Sequence, residues 1–87
     1  MRVIFSPLAE KQLKKLPKIV QLSLAGKIRN LATGGEITGI KPLTKYKNVF
    51  RIRIGDYRTV YKRFSGHYYI ILIEHRKSVY ETLKRIW

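Results

Sequence analysis

Two short stretches of this chain carry side chains able to do chemistry on a phosphate. Arg51, Arg53 and Arg58 flank a Gly55-Asp56 pair, and His75-Arg76-Lys77 runs directly into Ser78-Val79-Tyr80. A guanidinium keeps its charge near neutral pH, and its planar fork can hold a phosphate at two points. A tyrosine or a histidine can position or carry a proton. Phosphoryl transfer asks mainly for orientation and charge stabilisation, so arginines with one tyrosine form a minimal kit for it. Other chemistries are poorly provided for. There is no cysteine, which removes disulfides, thiolate zinc sites and a thiol nucleophile. The acids Glu10, Glu36, Asp56, Glu74 and Glu81 are scattered and form no HExxH pattern, so neither a metal nor a cofactor is expected. No glycine-rich phosphate loop is present; Gly55 and Gly66 read as turn glycines.

The arginines must be set by strands. Val49 to Ile54 and Tyr57 to Phe64 read as two strands joined by a two-residue Gly55-Asp56 turn. That register places Ile54 opposite Tyr57, Arg53 opposite Arg58, Arg51 opposite Val60 and Val49 opposite Lys62. Because side chains alternate along a strand, Arg51, Arg53, Arg58 and Lys62 share one face. Phe50, Ile52, Ile54, Tyr57, Thr59 and Tyr61 share the other and form the expected core. Like charges directly opposite each other in a sheet cost stability, and an anion held between Arg53 and Arg58 would relieve that cost. A solvated outer face that deters aggregation is the competing reading, although lysine is the usual residue for that role.

The second cluster precedes a helix. Ser78 and Glu81 match a capping box, Val79, Leu83 and Ile86 give an apolar side, and Lys84 and Arg85 suit the C-terminal dipole. A helix start attracts anions, and Tyr80 in its first turn is either a proton-transfer group or a core aromatic beside Val79. The histidines, His67 and His75, are weighed as structural residues first, with His75 as a possible proton-transfer group.

Upstream, Arg2 to Phe5 reads as a strand. Ser6-Pro7 opens a helix carrying Ala9, Leu13 and Leu16, and Pro17 ends it. Val20, Leu24, Ile28 and Leu31 mark a second helix that Gly34-Gly35 stops. Glu36 to Asn48 is a connector with Lys41, Lys45 and Lys47 and a short strand near Ile40 to Leu43; His67 to Ile73 is a further strand. The expectation is one α+β (α/β-class) domain over residues 1–87: two N-terminal helices packed on a twisted, mostly antiparallel sheet, with a short C-terminal helix.

Charge points to the partner. The chain has 87 residues and carries 19 Lys+Arg against 5 Asp+Glu, a formal net charge of +14. Such a field draws polyanions. RNA, DNA, an acidic protein segment and an anionic membrane surface all qualify; if the partner is RNA, Lys41, Lys45, Lys47, Lys62 and Lys77 are the lysines expected to bind it around the arginines. The longest apolar run, Tyr68 to Ile73, is too short to span a bilayer, and the N-terminus lacks a secretory pattern, so a cytoplasmic location and no membrane partner are expected.

The run Phe50-Arg51-Ile52-Arg53-Ile54-Gly55-Asp56-Tyr57-Arg58-Thr59-Val60-Tyr61 resembles the central hairpin of the RelE/ParE toxin superfamily. The ending Ile73-Glu74-His75-Arg76-Lys77-Ser78-Val79-Tyr80 and the opening Phe5-Ser6-Pro7-Leu8-Ala9-Glu10-Lys11-Gln12-Leu13 are similar to that family as well, so the resemblance covers nearly the whole chain. On its RelE branch it implies a type II toxin: a metal-independent endoribonuclease that cuts messenger RNA in the ribosomal A site and so inhibits translation. The ribose 2′-hydroxyl attacks the neighbouring phosphate and a cyclic phosphate end is left. A cognate antitoxin that wraps the toxin in a hetero-oligomeric complex is implied too. The resemblance assigns Arg58 to the scissile phosphate, Arg76 to the leaving oxygen and Tyr80 to the 2′-hydroxyl. Arg51 and Arg53 fall where the family's type member has lysines; arginine keeps the charge there but is a poor proton acceptor. The segment before Tyr80 is also shorter than in that member. Two other functions are carried beside this one: a ParE-like inhibitor of DNA gyrase, and a basic nucleic-acid-binding module without catalysis.

Overall fold

A computed structural model describes all residues, Met1–Trp87. Ser6 decides where the first helix begins. Its extended backbone (φ −65°, ψ 159°) ends strand β1 (Arg2–Phe5), and its Oγ accepts from the Ala9 N–H at 2.9 Å, opening α1 (Pro7–Lys15). The same hydroxyl donates to the Ile71 carbonyl at 2.6 Å, which ties the helix start to the sheet. Pro17 separates α1 from α2 (Lys18–Thr33). Gln21 Nε2 donates to the carbonyl of Leu13, which also accepts from the Leu16 N–H, and to that of Leu16, so it caps the end of α1. Gly34 ends α2 at φ +80°, and the Gly35 N–H returns 2.7 Å to the Asn30 carbonyl, a left-handed helix stop.

Four more strands and a helix follow: β2 (Ile40–Pro42), β3 (Val49–Ile54), β4 (Tyr57–Phe64), β5 (His67–His75) and α3 (Val79–Ile86). The sheet order is β1-β5-β4-β3-β2, with β1 parallel to β5 and every other pair antiparallel. The short strand expected near Ile40 forms over three residues, and the last strand runs to His75 rather than stopping at Ile73. The β3–β4 register is the one read from the sequence, with Arg53 opposite Arg58. Gly55 in the turn has φ +56°, which suits a glycine-first two-residue hairpin turn.

The sheet is covered on both faces. Ala9, Leu16, Leu24 and Leu31 from α1 and α2 pack on Ile52, Ile54, Tyr61, Ile70 and Ile73. On the opposite face Val79 and Leu83 of α3 pack on Val49, Val60, Ile71 and Leu72. The face that bears the arginines is therefore not simply solvated: its valines are core, and α3 lies over one part of it. Thr59 and Tyr61 are buried as expected, while Phe50 and Tyr57 are only half-buried. A bulge interrupts the β4–β5 ladder. Val60 pairs with Leu72 and Tyr61 with Ile70, leaving Ile71 as the extra residue, so both Ile71 and Leu72 serve the α3 side.

The capping box at Ser78 does not form. Ser78 sits at φ −122°, ψ −14°, its side chain makes no cap bond, and its Oγ faces the His75 carbonyl at 3.4 Å. The cause is local: the Ser78 N–H closes a turn onto His75 O at 3.0 Å, which keeps Ser78 out of the extended conformation a cap requires. No helix is long and apolar enough to cross a membrane.

Candidate active site

The β3–β4 turn gathers three of the arginines. Arg53, next to the end of β3, and Arg58, second in β4, face each other beside the turn. Arg58 Nη1 donates to the carbonyls of Gly55 at 2.9 Å and Tyr57 at 3.0 Å, which leaves Nε and Nη2 for an anion. Arg76 reaches the same turn from the end of β5. Its N–H donates to the Asp56 carbonyl at 2.7 Å, and its Nε lies 3.6 Å from Asp56 Oδ1. That ion pair is exposed and adds little stability, but it fixes where Arg76 stands. Arg51 lies farther along the same face, opposite Lys41 of β2, and its Nη1 donates to the Gly39 carbonyl at 2.8 Å.

Gly39 is a positioning residue that the sequence reading passed over as connector. It has φ +82°, and a Cβ there would lie 3.3 Å from the Arg53 carbonyl. Its carbonyl accepts from the Arg53 N–H at 3.0 Å as well as from Arg51, so one glycine sets both arginines. Lys27 of α2 anchors the same point by donating to Arg53 O at 3.0 Å and Thr38 O at 3.2 Å. A glycine immediately before a strand was the available signal.

Tyr80 is exposed and Val79 is fully buried, so of the two it is Val79 that enters the core. The Tyr80 ring borders a shallow cavity of about 260 Å³ with Leu43, Thr44, Lys45, Tyr46, Leu83 and Lys84. Lys45 therefore borders the same cavity as Tyr80, and Lys41 stands opposite Arg51 across the β2–β3 ladder. Lys47 and Lys77 are exposed in the flanking loops. Lys62 lies toward the other end of β4, with Nζ 5.4 Å from the Phe64 ring centre and 5.6 Å from that of Trp87, where it holds the end of α3 through cation–π contact.

His75 is placed differently from the arginines. It pairs with Tyr57, on the α1–α2 side of the sheet, and the two rings meet edge to face at 5.6 Å. Its Nδ1 accepts from the Lys77 N–H at 3.1 Å, so one ring nitrogen is already used. Glu74 takes the position beside Arg58 instead: the two are cross-strand neighbours. Tyr61, also on the α1–α2 face, has its phenol pushed up to about 12 by burial and then by Tyr68, with Arg63 acting in the other direction. It stays protonated and stands away from the arginines.

This architecture is that of RelE-type toxins. The chain matches a chain of the RelB-RelE antitoxin-toxin complex from Methanococcus jannaschii with TM-score 0.79 and 24% identity, over 91% of this chain and 96% of that one. It matches the isolated E. coli RelE toxin with TM-score 0.74 and 26% identity, over 99% and 98% of the two chains. The YoeB/ParE toxin from Agrobacterium tumefaciens gives TM-score 0.73 at 15% identity, over 86% and 98%. No curated protein matches the sequence. The sequence profile described as the ParE toxin of the type II toxin-antitoxin system, parDE, matches residues 3–80. The chain belongs to this family of the RelE/ParE superfamily and is a type II toxin.

Proposed function

We propose that this toxin is a ribosome-dependent endoribonuclease that cuts messenger RNA in the A site and so inhibits translation. The observation that carries the reading is the gathering of Arg53, Arg58 and Arg76 around the Gly55-Asp56 turn, with Tyr80 on the same side of the sheet. Three guanidinium groups held near one turn stabilise charge as it develops on a phosphorane. Arg58 holds the scissile phosphate, and Arg51 and Arg53 add positive charge. Tyr80 orients the 2′-hydroxyl or takes its proton, with His75 as the alternative carrier. The 2′-oxygen bonds to phosphorus, the bond from phosphorus to the 5′-oxygen breaks, and Arg76 stabilises the charge on that leaving oxygen while water supplies its proton. The products are a 2′,3′-cyclic phosphate and a 5′-hydroxyl. The reaction as proposed needs neither metal nor cofactor. Lys41, Lys45, Lys47, Lys62 and Lys77 contact the RNA backbone, and such contacts make binding fall with salt.

The chain acts as one domain, in the cytoplasm, under a cognate antitoxin in a hetero-oligomeric complex. The RelE relatives solved together with RelB from Methanococcus jannaschii and Pyrococcus horikoshii support the partner. A second reading, inhibition of DNA gyrase, is favoured by the family profile, which is that of ParE. One experiment separates them: purified toxin is added to programmed ribosomes and messenger ends are mapped, with gyrase supercoiling assayed in parallel. Cleavage in the A site with supercoiling intact is expected. Blocked supercoiling with intact messenger would replace the nuclease by the gyrase reading, and binding to RNA with neither effect would leave a non-catalytic module.

A further inference from the structure

The two halves of the site come from different elements, and one acidic residue pairs with the strand of the first and bonds to the helix of the second. Glu74 of β5 stands directly opposite Arg58 of β4. Its Oε2 accepts from Thr82 Oγ1 of α3 at 2.6 Å, and its Oε1 accepts from Gln12 Nε2 of α1 at 2.9 Å. Both partners are themselves pinned. Gln12 Oε1 accepts from the Ile73 N–H at 2.7 Å, on the β5 edge that lies beyond β1. Thr82 is buried and also accepts from Arg85 Nη2 at 3.4 Å. Thr82 follows Tyr80 by two residues on a helix whose start has no side-chain cap. With that cap absent, the Glu74–Thr82 bond is the polar tie between the sheet and the helix turn bearing Tyr80.

We infer that Glu74 is a positioning residue: it sets the Tyr80 turn of α3 against Arg58, so that the proton-handling and phosphate-holding parts of the site keep one geometry. This rests on the nuclease reading for its consequence in rate. Both carboxylate oxygens are already engaged, one by Gln12 and one by Thr82, so Glu74 acts through Thr82 and not on the substrate. A charged acceptor strengthens such bonds relative to neutral pairs. Displacement of a catalytic group by about 1 Å costs up to about 10²-fold in rate.

The test uses the full chain with Glu74→Gln, Thr82→Val and Thr82→Ser. Single-turnover cleavage on programmed ribosomes, ribosome affinity and amide hydrogen exchange in α3 are measured. Glu74→Gln and Thr82→Val should each slow cleavage by about 10-fold or more, leave affinity nearly unchanged and speed exchange in α3. Combined, they should be no slower than the worse single change, because they break one bond. Thr82→Ser, which keeps the hydroxyl, should retain the rate. Full rate in Glu74→Gln overturns the assignment. So does a silent Thr82→Val beside a dead Glu74→Gln, which would put the carboxylate on the substrate itself. If Glu74→Gln fails to fold, the Thr82→Val and Thr82→Ser pair decides. If the unaltered protein does not cleave, the nuclease reading fails by itself; Glu74 is then judged by exchange, and unchanged α3 protection in Glu74→Gln overturns its role.

Discussion

Arg58→Ala tests the nuclease reading most directly, because activity and stability should part company. In the folded chain the Arg58 guanidinium gives Nη1 to two carbonyls of its own turn, and it faces Arg53 at close range. Removing it loses two hydrogen bonds worth about 0.5–1.5 kcal/mol each, one of them exposed. It also relieves the like-charge pair with Arg53 but loses the opposite-charge pair with Glu74, and these two terms of about 0.2–1 kcal/mol nearly cancel. With the exposed bond counted at the bottom of its range, the net cost to folding stability should be about 1–2 kcal/mol, at about 4–8 °C of melting shift per kcal/mol for a chain of this size. Cleavage should respond on a different scale. Deleting a preorganised group that stabilises transition-state charge costs about 10²–10³ in rate, or about 2.7–4 kcal/mol. Single-turnover cleavage on programmed ribosomes and a thermal melt of the same preparation give both numbers. Arg58→Lys, which keeps the charge but not the fork, should fall between. A folded Arg58→Ala protein that cleaves at full rate would refute the reasoning.

Four further outcomes are expected. Ser6→Ala should cost about 1–3 kcal/mol in urea unfolding, since it removes both a cap and the bond to Ile71 O, whereas Ser78→Ala should cost under about 0.5 kcal/mol because its side chain caps nothing. Gly39→Ala should lower stability by about 1–2 kcal/mol through its left-handed backbone and slow cleavage by shifting Arg51 and Arg53; an unchanged unfolding midpoint would contradict this. Alkaline ultraviolet titration should show one late tyrosine near 12, absent in Tyr61→Phe. Since the unfolded phenol titrates near 10, Tyr61 stabilises fully below that pH and its contribution is lost as pH rises through 12. Tyr80→Phe should slow cleavage while His75→Gln stays within a few-fold of the unaltered rate, and the opposite order would move the proton to His75.

The hairpin was legible because its determinants are local. Gly55-Asp56 permits one tight turn, the turn fixes the register, and alternation then sorts Arg51, Arg53 and Arg58 to one side. Ser6 was legible as a cap for the same reason. Ser78 carried an equally good motif and failed, because the turn from His75 had already claimed its backbone. Gly39 and Glu74 escaped notice because their importance lies in contacts with Arg53 and Thr82, far away along the chain. Val49 and Val60, lying among the arginines, were the one visible hint that a helix covers part of that face. The parallel pairing of β1 with β5 depends on α1 and α2 folding back across the sheet, which no strand pattern announces.

The extra residue at Ile71 has a bearing on how such proteins diverge. Beyond it, every side chain of β5 takes the opposite face from the one that uninterrupted alternation would assign. Glu74 consequently stands beside Arg58, and His75 is turned toward Tyr57. Removal of Ile71 itself would leave Ile70 opposite Tyr61 and Leu72 opposite Val60, now in unbroken alternation, so Glu74 would stay at Arg58 and His75 at Tyr57. The bulge is thus a point where the strand tolerates a change of length: one codon can be lost there at the cost of an apolar contact under α3, while the groups that face the phosphate stay the same.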